Sequence, residues 1–172
     1  MKLDVSQIIF DYLKTLRGVS WSISSVIDVG LVFFTPVAAS YFSYFFRSEI
    51  QNELFLSLFT LFGIFVAIFI SVQGVLVSLY ETPRPGSSDP VVDDRHKSEN
   101  LIKKRLIKEV SFSLSYMNLF SLISMSILIF PIAFNSDLFL FKWVSIFLAT
   151  HLVLNLFVIL KRMHALFSHQ FQ

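Results

Sequence analysis

The 172 residues are 55% hydrophobic and 16% aromatic, only 15% charged, with a mean hydropathy of +0.69 and a net charge of +2. A soluble domain carries about 25% charge and alternates its apolar faces, so the long uncharged runs here exclude that class and point to a membrane protein. The chain has no cysteine, which decides nothing about its compartment.

The first seventeen residues carry Lys2, Asp4, Asp11, Lys14 and Arg17, and no short apolar core with a small-residue cleavage site follows, so no cleaved signal peptide is expected. Val5, Ile8, Ile9, Tyr12, Leu13, Leu16 and Val19 recur at helical spacing, which predicts an amphipathic interfacial helix over 1–20. A simple extension of the first span is the alternative. The apolar runs 21–46, 54–80, 110–134 and 143–160 each approach the ~20 residues that cross a ~30 Å hydrocarbon core, so an all-α integral membrane protein with four transmembrane helices is expected.

The second and third spans are joined by a polar segment, 81–109, which holds seven of the fourteen bases and six of the twelve acids. Its near balance argues against nucleic-acid binding, which needs a net basic surface. The opening "TPRPGSSDP" predicts a turn region. The remainder reads as a helix, capped by Asp93 or Asp94 and running on into the third span. Its bases Lys103, Lys104, Arg105 and Lys108, with Lys161 and Arg162 of the tail 161–172, are candidate contacts for lipid phosphate or for a cytosolic protein. Twelve of the fourteen bases fall on the side holding both termini and the polar segment, so that side is expected to be cytoplasmic.

Within the spans, small residues at Thr60, Gly63, Ala67, Ser71 and Gly74 form a candidate helix-packing or oligomer seam. Ser111, Ser115, Asn118, Ser121 and Ser124 make a hydroxyl stripe, either for interhelical hydrogen bonding or for lining a wetted cavity. At 1.5 Å per residue, Asp28, Gln73, Asn118 and Asn155 should share one layer roughly 8 to 12 Å from the cytoplasmic boundary, with His151 one turn deeper. A carboxylate at such depth should face protein or water. The layer is open to two readings, a structural network that fixes helix register or a sensing, ion-accessible site.

No catalytic signature is present: the sequence lacks HExxH, GxSxG and a phosphate-cradling glycine loop. His164 and His169 are five apart and share no face for a metal. The expectation is a non-enzyme with no cofactor, no metal and no small-molecule substrate.

The plan of a basic N-terminus, four spans, a charged island leading into "LIKKRLIKEV" and the ending "VILKRMHALF" resembles the membrane subunit of the Kiwa anti-phage system. In layout it is also similar to the membrane subunit of the lambda Rex exclusion system. The Kiwa resemblance implies an oligomeric sensor, a homotetramer for preference, in a bacterial inner membrane, working with a cytosolic DNA-binding partner. The Rex resemblance implies an ion-conducting effector that depolarises the cell. A membrane assembly protein without a defence role is a third reading.

Overall fold

The structure, a computed structural model, describes residues 5–17, 23–45, 53–81, 90–134 and 139–170, and the side chains at 5–16, 30–43, 45, 53–80, 101–134 and 140–164. All of the described chain is helical: α1 (Val5–Arg17), α2 (Ile23–Phe45), α3 (Glu53–Glu81), α4 (Pro90–Phe134) and α5 (Phe139–Gln170). The turn-rich start of the polar segment at 82–89 and the connections at 46–52 and 135–138 lie outside the described residues.

Three helices are long and apolar enough to cross a membrane, over Glu53–Tyr80, Leu101–Phe134 and Leu140–His164. In α2 the described apolar stretch is shorter, Gly30–Ser43. Helices suit such sequences because lipid offers no partner for backbone N–H and C=O groups, which a helix pairs internally. The chain is therefore a membrane protein, all-helical over the described residues.

At 45 residues α4 is about 68 Å long, more than twice the thickness of a hydrocarbon core, so part of it must stand clear of the bilayer. The helix starts at Pro90, earlier than the aspartates expected to cap it. Proline suits a first turn, since the N–H it lacks would have no intrahelical partner there and its φ is already helical.

The helices pack in the order α3, α4, α5, α2, and α1 lies against α4 and α2. Among the described residues the backbone of α2 comes close to α1 and α5 but not to α3 or α4, and α1, like α5, is close to both α2 and α4. The inward face of α3 repeats at near-heptad spacing through Phe55, Leu58, Phe62, Phe69 and Leu76, which join Val110, Leu114 and Met117 of α4 and Leu148 and Leu152 of α5 in one core. Lipid tails are as apolar as these side chains, so close packing and hydrogen bonds, rather than exclusion of water, hold the spans together.

Candidate functional site

Gln73, Asn118, His151 and Asn155, predicted to lie in or next to one layer, fall into two groups. The first joins α3 to α4: Gln73 Nε2 donates to Ser115 Oγ at 2.8 Å and to the Ser111 carbonyl at 3.5 Å, and Asn118 Nδ2 donates to Gln73 Oε1 at 3.2 Å. Here the hydroxyl stripe of α4 acts as an acceptor row for a neighbouring amide. Asn118 Oδ1 and Ser121 Oγ, three residues apart on the same helix, are buried with no hydrogen-bond partner. Ser124 bonds back to the Phe120 carbonyl four residues earlier, as hydroxyls in apolar helices commonly do.

The second group is larger and begins at a proline. A helical carbonyl normally accepts from the N–H four residues on, but for Val32 that residue is Pro36, which has no N–H. His151 of α5 supplies the missing donor, with Nδ1 3.1 Å from the Val32 oxygen. Because a carbonyl can only accept, Nδ1 carries the hydrogen, and the neutral ring is left with Nε2 as an acceptor. Tyr116 of α4 fills it, with its hydroxyl 2.9 Å away. One imidazole thus repairs the backbone of α2 and ties it to α4. The ring is 1% exposed and is walled by Phe120, Phe33 and Phe147 at 4.6, 5.6 and 5.8 Å between centroids.

Asn155, one turn after His151, donates to the His151 carbonyl at 2.7 Å, and its Oδ1 accepts a hydrogen bond from the hydroxyl of Tyr12 on α1. Tyr12 also stacks on Tyr116, at 3.9 Å between centroids and 1° between planes. Two turns further on, Arg162 donates to Thr15 Oγ1 at 3.0 Å, to the Thr15 carbonyl at 2.8 Å and to Ser113 Oγ. Thr15 and Ser113 can accept these bonds while their own protons go to the Tyr12 and Glu109 carbonyls. Burial pushes the Tyr12 phenol well above its ordinary value of 10.0, with nearby Tyr116 adding to the rise and Arg162 opposing it, so Tyr12 stays a donor at neutral pH. The assembly therefore fastens α1 to α4 and α5, and α5 to α2.

Several of these roles had a legible residue but no legible partner. Tyr12 read as part of an apolar stripe, and Pro36, Thr15, Ser113 and Tyr116 carried no signal by spacing. Pro36 could have been found, since a proline inside a span frees a carbonyl that must be satisfied. Arg162, read as an outward contact, points inward to α1 and α4. Asp28 lies within α2, but its side chain lies outside the described residues.

The small-residue seam of α3 divides. Gly63 is half-buried, and a Cβ there would lie 3.6 Å from Met125 Cε of α4. Thr60, Ala67, Ser71 and Gly74 are exposed, and a Cβ on Gly74 would meet nothing within 4 Å. Thr60 and Ser71 satisfy their hydroxyls on the Leu56 and Ala67 carbonyls of their own helix. Among the cations, Lys104 lies 5.5 Å over Tyr80, Lys108 lies 5.6 Å over Phe112, and Arg105 pairs with Glu109 at 3.1 Å. Lys103 is half-buried and Lys161 is exposed. Among the described residues no group of three His, Asp or Glu converges as a metal site.

Fold and site together define the class: a helical membrane protein whose first, short helix is hydrogen-bonded into a buried polar assembly shared by α2, α4 and α5. Compared with protein-family models, with curated proteins and with solved structures, the chain matches none.

Proposed function

We propose that the chain is a four-span protein of a bacterial inner membrane, with both termini and the polar segment in the cytoplasm, acting as a non-enzymatic sensor or scaffold subunit. On the resemblance in layout, the setting is anti-phage defence, with a cytosolic DNA-binding protein as partner. The observation that carries the sensor reading is the insertion of Tyr12 between Tyr116 and Asn155. A surface helix held this way has a second arrangement available, released from the bundle, and a stimulus that favours one over the other would be transmitted to the outer end of α4. Four-span packing with α2 as the first span is supported by His151 and Ser40, which tie α2 to α5.

The outer face of α3, where Thr60, Ala67, Ser71 and Gly74 lie exposed, fits a contact between copies, because small side chains let two backbones approach closely. A homotetramer is the assembly implied by the resemblance.

A second reading, an ion-conducting effector, draws on Asn118 Oδ1 and Ser121 Oγ, buried polar atoms that water could satisfy. The aromatic walls around His151 favour the sensor. Ion flux from liposomes containing the purified protein decides between them: tight liposomes support the sensor, and robust leakage supports the effector. For the defence setting, deleting the gene in its native host should raise phage plaquing, and unchanged plaquing would remove that part of the proposal.

A further inference from the structure

Between α1 and α4 lies a cleft of about 740 Å³, lined by Gln7, Asp11, Lys14 and Thr15 on one wall and by Arg105, Lys108, Glu109 and Phe112 on the other. On α1 these positions are spaced four, three and one apart, and on α4 three, one and three, so each set is one helical face. The polar side of α1 has thus been turned toward the polar side of α4, while Tyr12 and Leu16 are buried against the bundle. Three cations and two carboxylates share the cleft.

Lys108 and Phe112 also line a second groove of about 340 Å³, whose remaining walls are Leu76, Val77, Tyr80, Ile107 and Ser111. A charged cleft and a mainly apolar groove therefore meet at one lysine and one aromatic ring, where α4 passes from its polar part into its apolar part. That is the outline of a phospholipid, headgroup in the cleft and acyl chain along α3 and α4.

We propose that the α1–α4 cleft binds the headgroup of an amine-bearing phospholipid such as phosphatidylethanolamine. The phosphate is met by Lys14 and Lys108, each a compact charge that suits a phosphate oxygen. With Glu109 paired to Arg105, Asp11 is the carboxylate that meets the ammonium. Carboxylates among the cations set this cleft apart from a plain basic patch, since they repel a second anionic group and attract an amine. The proposal requires only that the chain sits in a membrane, and it does not depend on a sensing or defence role.

Purified full-length protein is equilibrated in detergent micelles with equal amounts of a phosphatidylethanolamine and a phosphatidylglycerol of the same acyl chains, and the phospholipid retained is quantified. Wild type should enrich the ethanolamine lipid. Lys14→Ala and Lys108→Ala should each lower retention by about fivefold, the effect expected of one basic side chain at a membrane surface. Asp11→Asn should keep phosphate binding but erase or reverse the preference for the amine. Helical content by circular dichroism separates lost binding from lost folding, and a lysine variant that stays folded and retains lipid as wild type does would overturn the proposal. Retention in the proportion offered to the wild type would overturn it too. So would displacement of the lipid by free phosphoethanolamine at equal concentration, which would make the ligand a soluble one.

Discussion

His151 and Pro36 are the residues whose roles explain each other. The proline removes a donor from α2, and the histidine restores one from α5. A double-mutant cycle reads this directly. His151→Leu alone leaves both the Val32 carbonyl and the Tyr116 hydroxyl without a partner, whereas in a Pro36→Ala background the alanine N–H can serve Val32. The cost of losing His151 should therefore be smaller in that background, with a coupling of about 1 kcal/mol in thermal unfolding in detergent. Strict additivity would contradict the assignment. Tyr12 gives a second residue-scale expectation, in pH. Its phenol is raised in the folded state, so the neutral form is favoured by folding, and its contribution is fully present below the unfolded value of 10.0. As pH rises above that value the contribution is lost. Docking of α1, followed by protection of its backbone amides from exchange, should be flat through neutral pH and weaken in strong alkali, and the weakening should be reduced in Tyr12→Phe.

Among the helices, α3 makes the sharpest separable prediction. Gly63 faces α4 and Gly74 faces outward. Gly63→Leu should press against Met125 and destabilise the protomer by about 1–3 kcal/mol. Gly74→Leu should leave the protomer as stable as wild type and change its self-association, measured by analytical ultracentrifugation in detergent. Equal effects of the two on stability would place both glycines on one kind of surface. From the sequence these positions looked like one seam, because a repeat of small residues three or four apart shows that a helix can be approached closely but not by which neighbour. The polar residues of the spans were legible for the same reason and to the same extent. Gln73, Asn118, His151 and Asn155 stand out in apolar runs, yet whether an amide pairs with α3 or α5 depends on helix rotation, which one sequence does not encode. The helical content and the long continuous α4 needed only composition and the absence of breakers between Pro90 and Pro131.

For the whole molecule, topology and coupling are the two claims. Reporter fusions after Glu49 and Asp137 should read external, and fusions after Asp89 and at Gln172 cytoplasmic; a cytoplasmic signal at Asp137 would end the four-span proposal. Coupling means that α1 is part of the bundle rather than a helix resting on lipid. The amphipathic pattern alone suggested a lipid-facing helix, because an apolar stripe looks the same whether it meets lipid or protein. Phe10 is 74% exposed while Tyr12 is 1% exposed, so the two apolar directions of α1 have different surroundings. The chain contains no cysteine, so a pair introduced as Phe10→Cys and Phe157→Cys, both at exposed positions, can be spin-labelled cleanly. The distance distribution between these labels in lipid nanodiscs tests the central claim most directly. A single narrow distribution in the otherwise wild-type chain, broadened when Tyr12→Phe and Arg162→Gln are added, is the predicted result. A broad distribution from the start, or a narrow one that both changes leave untouched, would contradict it.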